Sequence, residues 1–274
     1  MFRELEPSEF EAAARILDPR TAALRWLVAF LRNSGDGRPP EGRWAVWGGG
    51  PAREAPASWI AVARLRARTL YVGGDGETAD AADLEALARE VSPVRVVGDA
   101  SFLDVGTGRS AALRSRASGS RGFAVFAYRG GAESVPGFRI AEEEDLPVLL
   151  EYARLLFAEL GEPDPPDTEA CLEAGLVYVV EEMGHVLGII FSNSSDGRYV
   201  HAGGAFVHPA HRGRGLGRRL AAGLGATLLA ERSATAVLDA DEENAAALAA
   251  YRAAGYEEIG AGRVLRFPEG AWRS

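Results

Sequence analysis

Lysine is absent from this sequence of 274 residues, so all 30 basic side chains are arginine. Cysteine occurs once, at Cys171, which excludes an intrachain disulfide and a zinc site built from several thiolates. No apolar run approaches the roughly 18 residues that span a bilayer. The N-terminus carries acidic residues and no apolar core segment, which argues against a signal peptide. We therefore expect a reducing, cytoplasmic location and no membrane partner.

Positive charge is in deficit over the chain as a whole. The formal net charge is −9, with 39 acidic and 30 basic residues. Binding to nucleic acid needs surplus cations that face phosphates, so the composition argues against a nucleic-acid partner. Hydrophobic residues make up 47%, which excludes disorder over the whole chain. The length predicts roughly two domains.

A turn-rich segment at residues 129–137 is the best linker candidate, and it divides the chain into domains 1–133 and 134–274. In the second half, hydrophobic periodicity predicts helices over 141–160, 215–231 and 244–254, and strands over 176–180, 186–191, 202–207 and 235–240. The first of these helices has an apolar stripe made of Leu146, Leu149, Leu150, Leu156 and Phe157. The first half predicts helices over 19–31 and 79–90, and strands over 44–47, 59–62, 69–72, 94–97 and 123–128. Because the two halves share this order of elements, we predict a diverged internal duplication.

A run of glycine and arginine follows the strand 202–207 and opens the helix 215–231. Its glycines, Gly213, Gly215 and Gly217, leave room for a ligand to approach the backbone. The helix N-terminus adds unpaired N–H groups and a partial positive charge. Residues 208–219 contain no acid and four arginines, namely Arg212, Arg214, Arg218 and Arg219. The run predicts an anion site for a phosphate or pyrophosphate, with a solvated arginine-rich turn as the alternative.

Two motifs resemble a known family. A P-loop is excluded because no Gly-Lys-Ser/Thr is present, and the glycine spacing misses the dinucleotide fingerprint by one residue. The run Arg212-Gly-Arg-Gly215-Leu-Gly217, after a strand that ends in Val-x-Pro, resembles the Arg/Gln-x-x-Gly-x-Gly/Ala signature of the GNAT superfamily of acyl-CoA-dependent N-acetyltransferases. The run from Asn244 to Tyr256 is similar to the Asn…Tyr…Gly-Phe/Tyr helix of that family. The resemblance covers residues 138–260 and is nearest to the FR47-like branch, which has two-part members.

The resemblance implies a fold of the α/β (α+β) class, with tandem GNAT-like folds that each have a mixed, mostly antiparallel sheet flanked by helices. It implies transfer of an acetyl group from acetyl-CoA to a primary amine by direct attack, without a metal. Two other functions stay open: a non-catalytic protein that binds or senses acyl-CoA, and an interaction protein whose arginine loop meets an acidic partner. The acceptor, the acyl length and the oligomeric state also stay open, with a homodimer as one option.

The resemblance also implies roles for individual residues. The cofactor-binding set consists of Ala205, Phe206 and Val207, which pair with the pantetheine arm, and of Arg212, Gly213, Arg214, Gly215, Leu216, Gly217 and Arg218 around the pyrophosphate. Asn244 would contact the cofactor. Tyr251 lies seven residues further along, about two helical turns and therefore on the same face. It would lie near the thioester sulfur and protonate the departing thiolate, with a packed aromatic as the alternative.

His201 is the first candidate for the base that removes a proton from the amine. An imidazole, with a pKa of about 6.5, suits this role at neutral pH. The residue stands six positions before Val207, where some histone-acetylating relatives carry a glutamate base. Weaker rivals are the acids at strand ends, namely Glu181, Glu182 and Asp239. His208 and His211 are expected as loop residues beside the cofactor, because two histidines without nearby carboxylates make a poor metal site.

The first half lacks an equivalent of the arginine loop. Its corresponding turn, residues 73–80, keeps glycines but carries three carboxylates, which would repel a pyrophosphate. A second small-residue run, at 105–110, is interpreted as a turn. We therefore expect the first half to have no cofactor site and to help shape the acceptor cleft or an oligomer interface.

Overall fold

The computed structural model describes residues 3–17, 43–48, 59–66, 68–74, 81–161, 165 and 167–272. The chain forms two compact units, one made of residues 1–125 with 259–274 and the other of residues 126–258. The division differs from the predicted boundary between 133 and 134, because the turn-rich segment 129–137 lies within the second unit. The predicted helix 19–31 and the turn residues 75–80 lie outside the described residues.

The first unit is built on a sheet with one parallel pair of strands. Its elements are β1 (Arg3–Glu4), α1 (Phe10–Leu17), β2 (Arg43–Gly48), β3 (Trp59–Arg66), β4 (Thr69–Gly74), α2 (Ala81–Val91), β5 (Arg95–Asp99), α3 (Ala100–Arg109), α4 (Ala111–Arg116), the start of β6 (Gly119–Tyr128) and the end of β12 (Tyr256–Arg266). The strand order is β1-β2-β3-β4-β5-β12. Neighbours are antiparallel except β4 and β5, which α2 connects and which run parallel.

The second unit repeats this plan. Its further elements are β7 (Phe138–Ile140), α5 (Leu146–Leu160), α6 (Thr168–Glu173), β8 (Val177–Glu182), β9 (His185–Ser195), β10 (Tyr199–Val207), α7 (Leu216–Arg232), β11 (Thr235–Asp241) and α8 (Ala245–Ala253). The strand order is β7-β8-β9-β10-β11-β6. β7 to β10 are antiparallel neighbours, and β10 and β11, which α7 connects, run parallel. The shared plan confirms the predicted tandem α/β fold with mostly antiparallel sheets.

The last strand of each sheet comes from elsewhere in the chain. β5 pairs with β12, which follows the whole of the second unit in sequence, and β11 neighbours β6, which precedes β7. Sequence periodicity did not predict β12, because glycines at 260 and 262 interrupt its apolar pattern. Gly262 is required by packing, since a Cβ there would lie 2.1 Å from the ring of Phe123.

Helix α5 packs its buried face against the middle of the second sheet. Leu149, Tyr152, Ala153 and Leu156 are buried there, as predicted for two of them. The prediction was wrong for Leu150, which is 49% exposed, because Tyr152 and Ala153 occupy the buried face of the helix instead. The residues that these side chains meet come from three neighbouring strands and are Val177, Val179, Ile189, Phe191 and Phe206.

The start of α5 lies later than predicted. Residues 138–140 form β7 and a 3-10 turn covers 143–145, so the helix begins at Leu146 and not at 141. Arg139 fixes this entry by donating to Asp145 at 2.7 and 3.1 Å and to Glu181 at 2.8 Å. The Arg139 guanidinium holds the pKa of the Asp145 carboxyl below its usual value, although burial acts in the opposite direction.

The run 105–110 is not a turn. Residues up to Arg109 continue helix α3, and Ser110 caps α4 by accepting a hydrogen bond from the N–H of Leu113 at 3.1 Å. Glycines inside a helix cost only about 1 kcal/mol each, which tertiary packing can offset. None of the helices in the described parts of the chain has the length and apolar character to cross a membrane.

Replacing Asp145 with Asn should lower the free energy of unfolding by about 1.5–3 kcal/mol at neutral pH, because a hydrogen-bonded ion pair is lost. The depressed pKa of Asp145 gives a stability contribution that is present above the ordinary aspartate pKa of about 3.9 and is lost as pH falls through the lower folded-state value. The difference between wild type and variant should therefore narrow in acid, as measured by urea denaturation at several pH values. Glu144→Gln, which removes the same charge from an exposed neighbour, is the control. Equal losses in both variants would contradict this account.

Candidate functional site

β10 keeps its strand partner on one side and loses it on the other. The parallel pairing with β11 ends where Ala202 lies opposite Leu238. On the other side, the pairing with β9 continues until Val207 lies opposite Gly188. The backbone edge of residues 203–207 that faces away from β9 is therefore not paired with any strand among the described residues. A free edge of this kind can accept an extended ligand through main-chain hydrogen bonds.

A bulge accounts for the separation of β10 from β11. Gly203 lies opposite Phe191 and Phe206 lies opposite Ile189, so β10 has one residue more than β9 between these two pairs. Gly204, within the bulge, has a φ of +65°, a backbone conformation that residues with a side chain rarely adopt. A bulge bends its strand and increases the local twist. The sequence Ala-Gly-Gly-Ala thus produces the divergence of the two strands.

The loop after β10 presents a series of free backbone donors. Gly213 and Gly215 have φ values of +77° and +76°, and Gly215 is the N-cap of α7. The six N–H groups from Gly213 to Arg218 donate to no acceptor among the described residues. They lie at the positive end of the helix dipole of α7, which has 17 residues. The arrangement suits an anion with several oxygen acceptors, as the sequence predicts.

Three of the four arginines of the loop are held by the protein itself. Arg212 donates to the carbonyl of Val207 at 3.0 Å and to both oxygens of Glu159 at 2.8 and 2.9 Å. Arg214 and Arg219 both pair with Glu182, Arg219 at 2.5 Å. Their guanidinium groups, that of Arg219 above all, hold the pKa of the Glu182 carboxyl below its usual value.

The fourth arginine has no such partner. Arg218 is exposed and forms no ion pair with any residue that the structure describes. Among the predicted cations, it is thus the one that no described carboxylate holds, so its side chain can turn towards an anion at the loop. The other three fasten the loop to its surroundings.

Asn244 lies at the start of α8 and caps it. Its Oδ1 accepts a hydrogen bond from the N–H of Ala247 at 3.0 Å. The side chain is exposed, and its amide group keeps two donors for another partner. The predicted cap is confirmed, and the predicted contact with a cofactor stays a prediction.

Tyr251 is on the same helix and is buried, with 6% exposure. Its ring packs edge-on against Phe126, with centroids 5.9 Å apart, and against Tyr256 at 6.1 Å. Its hydroxyl forms no hydrogen bond with a described residue. Burial raises the pKa of this phenol, and the charge of Asp239 raises it further. Tyr251 is therefore a protonated group at neutral pH, as a proton donor must be.

His201 and Asp239 form a pair across the point of separation. The Nε2 atom of His201 lies 2.7 Å from Oδ1 of Asp239. The His201 side chain is mostly buried, at 15% exposure, whereas that of Asp239 is 44% exposed. The sequence names both as candidate bases but gives no sign that they are in contact.

The remaining candidates have other partners. Glu181 accepts from Arg139 at 2.8 Å, and Glu182 belongs to the two loop arginines, so neither carboxylate is a free base. His208 accepts from the N–H of Ala210 at 3.3 Å and stacks on Tyr152 at 5.6 Å. His211 lies against His208, with ring centroids 5.6 Å apart. Both histidines are loop residues, as the sequence predicts.

Sequence reasoning missed Glu159 and assigned Glu182 a different role. Glu159 lies 53 residues before its partner Arg212, and Glu182 lies 32 residues before Arg214. No periodicity or spacing links residues this far apart. Only the arginine-rich composition of residues 208–219 hints that acids must approach from elsewhere.

One comparison with known proteins covers the part of the chain that holds the candidate site. The model of the acetyltransferase (GNAT) family matches residues 146–256, a range that includes every candidate site residue. No curated protein sequence matches the chain.

Solved structures resemble the chain over almost its whole length. A GCN5-related N-acetyltransferase from Sphaerobacter thermophilus is 18% identical, with a TM-score of 0.64 over 98% of this chain and 96% of that one. A GNAT-family acetyltransferase from Colwellia psychrerythraea is 14% identical, with a TM-score of 0.61 over 98% and 100%. A tandem GNAT protein from the clavulanic acid biosynthesis pathway is 17% identical, with a TM-score of 0.57 over 97% of each chain. At these identities the likeness is one of fold, and it extends to a tandem arrangement. The family model alone identifies residues 146–256, within the second unit, as an acetyltransferase (GNAT) domain.

Proposed function

We propose that the protein transfers an acetyl group from acetyl-CoA to a primary amine of a small-molecule or protein acceptor. The observation that carries the proposal is the row of six N–H donors from Gly213 to Arg218, directly after the strand edge of residues 203–207; within the described part of the chain, neither the donors nor this edge has a partner. A pyrophosphate suits the donors, and an extended amide-containing arm suits the edge of residues 203–207. Acetyl-CoA has both parts joined in one molecule. The proposed binding set is therefore Ala205, Phe206, Val207, Arg212, Gly213, Arg214, Gly215, Leu216, Gly217, Arg218, Asn244 and Tyr251.

Within this set the arginines differ in what they do. Arg218 contributes charge to the phosphates, whereas Arg212 and Arg214 keep the loop in place through Glu159 and Glu182. Asn244 offers its amide hydrogens, since its Oδ1 is engaged in the helix cap. Most of the attraction for the cofactor then comes from backbone dipoles, which need no rearrangement on binding.

The catalytic groups are Tyr251 and His201. Tyr251 is the acid that protonates the departing thiolate, which its hydroxyl supports because it forms no hydrogen bond with a described residue. His201 is the base that takes a proton from the amine. Its side chain is largely buried at the point where β10 and β11 separate, and this position supports the role. The enzyme contributes chiefly by placing the amine and the thioester side by side. The chain needs no metal for this reaction.

Acetyl-CoA should bind at one site per chain, because we propose that the first unit has no cofactor site. Arg218→Glu should weaken binding by about 10- to 100-fold, since it replaces an attractive contact worth about 1.5–3 kcal/mol with repulsion. Arg218 holds no ion pair among the described residues, so the fold should be unaffected. Isothermal titration calorimetry with acetyl-CoA measures both quantities.

Arg154→Glu is the matched control, because it makes the same charge change on the exposed face of α5. It should leave the affinity unchanged. Absence of binding by the wild type at millimolar acetyl-CoA would contradict the proposal and favour the acidic-partner alternative.

Tyr251→Phe should lower turnover by about 10- to 100-fold and leave acetyl-CoA affinity unchanged. The factor is at or below the low end of general acid catalysis, because a coenzyme A thiol is already acidic. Release of free thiol from acetyl-CoA in the presence of a panel of primary amines is the measurement.

Tyr256→Phe is the control for this variant. It removes a phenol hydroxyl that donates to the carbonyl of Ala221 at 2.9 Å, so it should cost about 1 kcal/mol of stability without lowering turnover. Tight binding of acetyl-CoA with no thiol release for any amine would instead favour a non-catalytic, acyl-CoA-sensing protein.

A further inference from the structure

We propose that Asp239 is a positioning residue for His201: it holds the hydrogen of Nε2, so that Nδ1 is the atom that accepts the proton of the acceptor amine. This inference rests on the proposed function, because it assigns a role within the same acyl transfer. It adds a residue and a specific atom to the proton path.

The position of Asp239 follows from the strand register. His201 lies opposite Val237 on β11, and Asp239 is two residues further along, on the same face of that strand. The last paired residue of β11 is Leu238. Asp239 is thus the first residue of β11 beyond the pairing whose side chain shares a face with His201. The separation of the strands frees this carboxylate to reach back to the imidazole.

The contact defines the tautomer. A separation of 2.7 Å between Nε2 and Oδ1 is the length of a charge-assisted hydrogen bond. An ionised carboxylate can only accept, so the hydrogen belongs to Nε2. In the neutral ring, the lone pair available to a substrate is then on Nδ1. Because the imidazole ring is mostly buried, it has little freedom to flip and so interchange the positions of Nδ1 and Nε2.

Three groups face His201 or its partner from the elements around them. Asp239 comes from β11, and Ser194, which lies opposite His201, comes from β9. Tyr251 comes from α8 and is close enough for the charge of Asp239 to raise its pKa. The Ser194 hydroxyl is buried and has no hydrogen-bond partner among the residues that the structure describes, so it does not bond to His201 as the serine of a Ser-His-Asp triad would.

One carboxylate lies near both groups of the proposed proton path. The negative charge of Asp239 stabilises the imidazolium that forms when His201 takes a proton. Burial is the main reason why the pKa of the Tyr251 phenol is raised, and the same negative charge raises it further. Asp239 acts on both groups by its charge and transfers no proton itself.

Every proton in the proposed acyl transfer has a donor and an acceptor. The substrate ammonium gives one proton to Nδ1 of His201, and the neutral amine attacks the thioester carbonyl. A C–N bond forms, the C–S bond breaks, and the sulfur leaves with the electron pair and takes the proton of Tyr251. The nitrogen gives up its second proton to the tyrosinate through water, and His201 releases its proton to solvent. The products are the amide, the free thiol and one proton.

The hydrogen bond is testable without any substrate. In the full chain labelled with nitrogen-15 histidine, NMR should show a His201 Nε2–H signal that is shifted downfield and protected from exchange. His201→Asn assigns it among the four histidines. Asp239→Ala should abolish the protection. A His201 hydrogen on Nδ1, or a protected Nε2–H that survives in Asp239→Ala, would overturn the proposal.

The catalytic role is testable through pH. Asp239→Asn should lower kcat/KM for an accepted amine at least tenfold at neutral pH and leave acetyl-CoA affinity unchanged. The loss should shrink as pH rises, because an amine that is already neutral needs no base. Glu243→Gln, which removes a charge from the exposed turn after β11, should behave as wild type.

The two proposals fail in different ways. A loss of kcat/KM that stays constant over all pH values would mean that Asp239 acts only on packing, and would overturn its role while the acetyltransferase stands. A protected Nε2–H in a protein that acetylates no amine would overturn the proposed function, and with it the proton transfer assigned to this pair.

Discussion

The parting of β10 and β11 is the constraint on which the site depends. Buried backbone groups need hydrogen-bond partners, and a strand that leaves its neighbour exposes a row of them. The bulge around Gly204 produces this condition at one place, beyond Ala202 and Leu238. It leaves the edge of residues 203–207 without a partner among the described strands, and it places Asp239 where the pairing has already ended. The glycine loop and the N-terminus of α7 follow directly in sequence, so the free edge and the free N–H groups belong to one continuous stretch of backbone.

The electrostatics of the loop differ from what its composition suggests. Four arginines in a chain of net charge −9 look like a cationic patch. Glu159 and Glu182 form ion pairs with three of them, so two carboxylates offset part of this charge, and these bonds hold the loop in place. The attraction for an anion is therefore carried mainly by oriented N–H groups, which salt screens less than exposed side-chain charges. The arginines here hold the loop in place more than they bind the anion, because a planar guanidinium group can donate to a carboxylate and a carbonyl at the same time.

Local features of the site could be predicted from the sequence, and distant contacts could not. The glycine run, the cap at Asn244 and the repeated order of elements are local, so spacing and periodicity indicate them. The exchanged strand β12 was missed because its glycines serve packing contacts, such as that of Gly262 with Phe123. The pair of His201 and Asp239 was missed because it depends on register between strands, which a single sequence does not fix. The exposed Leu150 shows the same limit, because packing against the sheet determines which face of α5 is buried, and the sequence of the helix alone does not.

Each sheet includes one strand that is encoded in the other half of the chain: β12 in the first sheet and β6 in the second. The strand that pairs with β5 is encoded after the entire second unit, so the first sheet closes only through a contact that spans more than half of the chain. Contacts of such high sequence separation slow folding, and they make the early chain dependent on segments that are made late. A gene fragment cut at the midpoint would leave each half with a strand that belongs to the other. Neither half of the sequence therefore encodes every strand of its own sheet.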